Sequence, residues 1–483
     1  MNDIPDKKAA IMTWHHTDNY GTGFQAYALS HVVKTMGYSV DLIDYRRLSE
    51  LPLPMRTLYD LIKTGIIRMK PKRKNSKIYS NYKAFEHFYK TFFSYTKRCY
   101  SYQELSEISN FYGTIICGSD QIWSPDGFDE RYFLDFVPNE KIVAYAPSFG
   151  ISEIDNKNLS NRIGKLIKRF KYVSIREKTG CELASEISGR NDIVHVVDPV
   201  LLLEKKDWDK LKKNVSEMKT PYMIIFFLKN NEKYYKRALK EAQNRKLSPI
   251  ILHCTQSEDN IYANIENPSP EELLSLIDKA DFICTDSFHI AVLSIVYNKQ
   301  FHVFLKDNSK SKLSRNSRLT DLFSSLQITN CVGNNFSRVQ INYKKVNKRL
   351  EHLRKSSISY LKKALDSTGK YNSEYNVFTK CTIKNICNND GIEADEFLNR
   401  KKNSTFIKRY LLERMDKWDF MLREECYGCQ YYNNHGKLNY RRPLFYDALK
   451  RDFQKKSIAD IYVNYYLAYD LPYLIKKIMK RQP

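Results

Sequence analysis

No stretch of this 483-residue chain approaches the ~20 consecutive apolar residues that a membrane span requires; the longest strongly apolar run, Tyr222–Leu228, is far shorter. The N-terminus, MNDIPDKKAAIMTW, has early acids and no long apolar segment, so it reads as neither a signal peptide nor a transit peptide. A cytoplasmic location is expected. The first glycine-bearing turn, His16–Gly23, is not G-x-G-x-x-G, so it is no dinucleotide fingerprint. Acid is in short supply: 55 Asp and Glu face 79 Lys and Arg, a net charge of +24. That excess calls for a polyanionic partner, an anionic membrane surface or anionic substrates.

Basic charge combined with 13% aromatic residues is one signature of single-stranded nucleic-acid binding. Here the aromatics are spread along the whole chain and no such module is present. A composition rich in Lys, Asn, Tyr and Ile also follows from an AT-rich bacterial genome, so no specific nucleic-acid partner is expected. Of the ten cysteines, Cys99, Cys117, Cys181, Cys254, Cys284 and Cys331 are scattered, several in apolar runs, and read as core residues of a reducing compartment. The other four, Cys381, Cys387, Cys426 and Cys429, fall in the last quarter. Two pairs can make a zinc site, but the first spacing is wider than usual, so no metal is the preferred reading.

Taken in order, residues 9–15 read as a strand, the glycine-bearing turn follows, Phe24–Met36 reads as a helix and Tyr38–Ile43 as the next strand. GTIICGSDQIWSP at 113–125 is an apolar strand running into a polar turn. Ile142–Ala146 is another strand, ending in Pro147–Gly150. Lys171–Ile175 is followed at once by Arg176, where a guanidinium can grip a phosphate or carboxylate or pair with a nearby acid. Asp198–Pro199 reads as the exit from this first α/β set. A second begins near Pro221, with strands at Tyr222–Leu228, Pro249–His253, 281–284 and Phe301–Leu305. Alternating strands and helices argue for parallel sheets.

The last of these sets holds the most informative stretch, ADFICTDSFHIAVLS at 280–294. A short apolar strand runs into Thr285, Asp286 and Ser287, all good caps, and then into an apolar-periodic helix. His289 therefore lies in the first turn of a helix that starts where a strand ends. Ligands bind there in open α/β sheets, and free backbone N–H groups welcome an anion. The alternative is a capped helix with an incidental histidine. The loop Lys306–Arg318 brings Lys310 and Arg318 into the same neighbourhood. A second basic stretch, residues 63–77, is either a solvated loop or a patch suited to peripheral contact with an anionic membrane.

Six ordered motifs resemble the polysaccharide pyruvyl transferases over roughly residues 9–365: TWHHTDNYGTGFQAYAL, GSDQIW, YAPSFG, SIREKTG, VVDPVLL and TDSFH. The resemblance implies a GT-B-like α/β fold, two Rossmann-type doubly wound domains facing across a cleft. The expected boundaries are 1–203 and 204–345, with a helix at 346–366 packing back across the domains and a mostly helical extension at 367–483 of unassigned role. It implies phosphoenolpyruvate as donor and a sugar of a cell-surface polysaccharide or lipid-linked glycan as acceptor. It makes His289 the acid/base candidate and Arg176 a donor-binding residue, with Ser287, Lys310 and Arg318 beside it. Asn19, Tyr20, Gly21, Gln25, Ser119, Asp120, Gln121, Trp123, Ser148 and Asp286 are the candidates for the acceptor site or cleft lining. At Ser287 many family members carry arginine, which leaves a GT-B glycosyltransferase using a nucleotide-sugar as the alternative.

Overall fold

The computed structural model describes residues 7–15, 17–46, 76–99, 102–215, 221–228, 231–252, 262–263, 268–305, 316–332, 336 and 340–368. Lys310 and its loop from 306 to 315, the basic stretch 63–75, Cys254, and the late cysteines Cys381, Cys387, Cys426 and Cys429 lie outside the described residues, as does all of the extension from 369. The chain divides into two compact units. The smaller includes Asp44–Lys74 and Lys97–Ser109; in it Asp44 accepts from Arg46 Nε at 3.0 Å and from Arg98 Nε at 2.9 Å. The larger, Met1–Ile43, Asn75–Thr96 and Asn110–Tyr371, holds both sheets and the candidate site. No described helix is long and apolar enough to cross a membrane.

The first sheet is six-stranded and parallel, in the order β2-β1-β3-β4-β5-β6. Its strands are β1 (Lys8–Met12), β2 (Ser39–Leu42), β3 (Thr114–Cys117), β4 (Ile142–Ala144), β5 (Tyr172–Ile175) and β6 (Val194–His195). β1, β3 and β4 are apolar runs buried on both faces, the pattern a helix-covered parallel sheet demands. Helices α1 (Tyr20–Thr35), α2 (Ser76–Phe92), α3 (Lys157–Lys168) and α4 (Lys178–Ser188) belong to this half. The second sheet is four-stranded and parallel, β10-β9-β7-β8, from β7 (Tyr222–Phe226), β8 (Ser248–Ile251), β9 (Phe282–Thr285) and β10 (Gln300–Val303). Its helices are α5 (Glu232–Asn244), α6 (Pro270–Lys279), α7 (Phe288–Val296) and α8 (Ser317–Leu326).

Strand alternation sorts the second sheet's side chains between two cores. Met223 and Ile225 of β7, with Phe227 just beyond it, pack with Tyr235 of α5. Tyr222, Ile224 and Phe226 join the large core that runs through to α1 of the first half. There Phe24 meets Trp208 with ring centroids 5.4 Å apart. Each such large apolar side chain contributes roughly 1.5–3 kcal/mol by leaving water, so the two halves share one hydrophobic body. The last helix among the described residues, α9 (Tyr343–Thr368), spans them. Its Tyr343 hydroxyl donates to Ser294 O of α7 at 3.3 Å, whereas Ser357 Oγ accepts from Val197 N at 3.0 Å and Tyr360 donates to Ala144 O at 3.1 Å.

Two local expectations are corrected. The strand expected over 9–15 stops at Met12. The helix expected from Phe24 starts at Tyr20, because Asn19 caps it by accepting from Gly21 N at 2.9 Å. Gly21 and Gly23 are thus helical residues rather than turn residues.

Candidate active site

Two helix N-termini, one from each sheet, meet where β1 and β9 end. Helix α7 is apolar enough to be buried along its whole length. Ser287 caps it by position, but without a side-chain hydrogen bond, so its hydroxyl does not close the N–H groups of the first turn. The other two cap candidates face elsewhere: Thr285 Oγ1 accepts from Ser287 N at 3.0 Å, and Asp286 Oδ1 accepts from Leu228 N at 2.7 Å. His289, one residue into the helix, lays its imidazole on Gly21 of α1. A Cβ at Gly21 would lie 2.8 Å from His289 Cε1 and closer still to Nδ1, so only glycine fits there. The opposite nitrogen, Nε2, is buried without a hydrogen-bond partner and faces Asp198 Oδ2 at 3.7 Å. The neighbouring Tyr20 hydroxyl donates to Pro268 O at 2.6 Å, which ties α1 to the segment preceding α6.

Beneath His289 lies a buried charge cluster built from loops at the C-terminal ends of β3, β5 and β6. Arg176, with a side chain only 1% exposed, donates from Nε to Glu177 Oε1 at 3.0 Å, from Nη1 to Asp198 Oδ2 at 2.7 Å and from Nη2 to Asp120 Oδ1 at 3.5 Å. Asp120 reaches α1 through Thr22 Oγ1 at 2.9 Å, and Ser148 Oγ donates to Glu177 at 2.5 Å. Burial alone would raise the Asp198 pKa, but His289, Arg176 and the Val200 N–H hold it well below the carboxylate range. Asp120 is likewise lowered against its burial by Arg176, His289, Thr22 and Arg318. Glu177 goes the other way: burial outweighs Arg176 and Ser148 and raises it. Burial opposes the charge on Arg176, yet its three carboxylates raise its pKa further, so it stays cationic. Phe288 of α7 is flanked by two guanidiniums, Arg176 Cζ at 4.8 Å and Arg318 Cζ at 5.6 Å from its ring centroid.

The structure brings His289, Gly21, Asp120, Arg176 and Arg318 together and gives several other expected residues different work. Trp123 does not line a cleft: it is fully buried, stacked on Phe133 at 4.8 Å and beside Phe149 and Phe170. Gln25 and Ser119 are buried partners, with Ser119 N donating to Gln25 Oε1 at 3.1 Å, and they brace α1 against the loop after β3. Ser148 faces Glu177 rather than solvent. Gln121 is half-buried, and its amide lies against Gly150. Arg176 is engaged by acids rather than open to an anion. Sequence reasoning missed Thr22, Glu177 and Asp198. Asp198 stands three residues past β6 and before a proline, within the VVDPVLL motif, and that position is the signal the sequence carries for it. Among the described residues no group of three His, Cys, Asp or Glu side chains forms a metal site.

A family model described as polysaccharide pyruvyl transferase matches residues 19–308, more than half of the chain, and the chain belongs to that family. No curated protein sequence matches it. Among solved structures it is similar to the UDP-GlcNAc 2-epimerase of Methanocaldococcus jannaschii, at 9% identity and a TM-score of 0.40 over 71% of this chain and 91% of that one. It is also similar to a Listeria monocytogenes protein described as a putative UDP-N-acetylglucosamine 2-epimerase, at 7% identity and a TM-score of 0.39 over 78% and 96%. A third is Acinetobacter baumannii MurG, at 10% identity and a TM-score of 0.33 over 76% and 95%.

Proposed function

We propose that this member of the polysaccharide pyruvyl transferase family uses phosphoenolpyruvate to build a pyruvate ketal on a sugar of a cell-surface polysaccharide or lipid-linked glycan, releasing phosphate. The observation that carries this reading is the placement of His289. It is a titratable group at the start of α7, beside N–H groups that Ser287 leaves open, with the Arg318 guanidinium over the adjacent Phe288. Phosphoenolpyruvate brings a phosphate and a carboxylate, and both need such partners. Lys310, from the same basic loop region, is a further donor-binding candidate.

In the proposed reaction His289 delivers a proton to the terminal enol carbon and leaves positive charge at C2. A first sugar hydroxyl adds to C2 and loses its proton. A second hydroxyl then displaces phosphate from C2 and closes the ring. One substrate proton thus restores the histidine and the other leaves with phosphate. Arg176 holds three carboxylates in place around the site, and the donor's charge is met mainly by α7 and Arg318. No cofactor is required by this scheme.

The test is to incubate the purified protein with phosphoenolpyruvate or with a nucleotide-sugar, each with a glycan acceptor extract. Phosphate release from phosphoenolpyruvate, lost about 100-fold or more in His289→Ala, is the expected result. Release of nucleoside diphosphate instead would overturn it. So would a His289→Ala protein that keeps full function, the behaviour of a glycan-binding protein without catalysis.

A further inference from the structure

We infer that Asp198 is the positioning residue for His289: it aims Nε2–H and holds the protonated imidazole, and Arg176 acts on His289 through it. This rests on the reading of His289 as the proton donor.

Three observations carry the inference. First, the two nitrogens of His289 are not equivalent. Nδ1 packs against Gly21, whose missing side chain leaves room for the ring, and it is not among the buried unpartnered atoms. Nε2 is buried without a hydrogen-bond partner and faces Asp198 Oδ2 at 3.7 Å, so its proton is held at the acid and Nδ1 is the nitrogen left to exchange one with substrate. Second, Asp198 is fixed independently of His289. Its Oδ1 accepts from Val200 N at 3.0 Å, and its Oδ2 accepts from Arg176 Nη1 at 2.7 Å. Oδ2 keeps a lone pair for the imidazole. A carboxylate pinned on both oxygens can aim a ring that is held on its other side by a helix.

Third, the surroundings leave this task to Asp198. Among the described residues, the charged groups that interact with His289 are Asp198 from the loop after β6 and Asp120 from the loop after β3, whereas Arg176 and Arg318 flank the adjacent Phe288. The first turn of α1 brings no acid. Asp120 is committed to Thr22 and Arg176. Asp198 is therefore the acid placed to balance an imidazolium, and it has no other free oxygen direction.

The experiment uses the full chain labelled with 15N-histidine, with His289→Gln identifying the His289 signals. In the wild-type protein, the neutral imidazole is expected as the Nε2–H tautomer; a bare Nε2 with the proton on Nδ1 overturns the proposal, and this measurement needs no Asp198 variant to fold. In folded Asp198→Asn, kcat for phosphate release should fall about 100-fold with KM within about threefold, and the alkaline limb of the pH–rate profile should move down by about one pH unit. A merely structural role would lower the rate with the limb unmoved, and that result refutes the proposal. If phosphoenolpyruvate is not turned over at all, a shift of His289 toward the other tautomer in Asp198→Asn still supports the inference, and only the substrate reading falls.

Discussion

Gly21→Ala isolates the contact on which the site is assembled. Gly21 lies in the first turn of α1 with ordinary helical backbone, so helix propensity alone makes alanine more stable there by about 0.5–1 kcal/mol. Against this, the new methyl would overlap the edge of the His289 ring, 2.8 Å from Cε1 and closer still to Nδ1 and Cγ. The ring is buried and α1 is fixed by Asn19 and Thr22, so the imidazole must swing away; overpacking of this kind costs about 1–3 kcal/mol. The expected net effect is a loss of about 1–2 kcal/mol in the wild-type background and a gain of about 0.5–1 kcal/mol in His289→Ala. The coupling between the two sites is then about 1.5–3 kcal/mol, read from urea midpoints at constant slope. The same displacement should lower phosphate release about 100-fold, because a proton donor out of place by ~1 Å loses its line to the reacting carbon. Equal stabilisation by Gly21→Ala in both backgrounds would refute the contact and the site built on it.

Other perturbations test the surrounding architecture. Arg176→Gln leaves Asp120, Glu177 and Asp198 buried without their shared cation and should cost about 3–5 kcal/mol in urea unfolding; a loss below 1 kcal/mol would show that the cluster is not held as described. Tyr20→Phe removes the 2.6 Å hydrogen bond to Pro268 O and should lower stability by about 1 kcal/mol. Asp135 is raised from its ordinary 3.8 to about 7 by burial, so the folded state keeps a proton that the unfolded chain has lost. Its stabilising effect is full below about pH 4 and disappears as pH rises to about 7, and Asp135→Asn should flatten that part of the stability–pH curve. Asp120 and Asp198, whose pKa values are depressed, act in the opposite sense: their contribution is present above their unfolded values and is lost as pH falls through the folded ones.

Much of the frame is legible in the residue pattern because strands and helices have different periods. The strand expected at Tyr38–Ile43 is found at Ser39–Leu42, one residue shorter at each end, and the strand expected at 281–284 is displaced by one residue to Phe282–Thr285. The errors fall where a distant partner decides. Gly21 and Gly23 look like turn residues, because nothing in the local sequence announces the His289 ring that excludes a side chain at Gly21. Trp123 follows a polar turn and looks available to a ligand, yet Phe133, Phe149 and Phe170 close around it only once the fold is made. Arg176 looks like an anion grip because the three acids that saturate it lie at positions 120, 177 and 198, only one of them adjacent.

The sequence by itself determined that this is a two-sheet α/β chain of the polysaccharide pyruvyl transferase family, and that His289 opens a helix at the end of a strand. The strands and the helix start are local, specified by a few apolar residues, a cap and a period, whereas the family is carried by six ordered motifs. The tertiary structure decided which nitrogen of His289 faces an acid and which acid that is, and whether Arg176 is open or engaged. These depend on contacts between segments far apart in the chain, Gly21 with His289 and Asp120 with Arg176 and Asp198, whose geometry is set only when the two sheets close on one shared core.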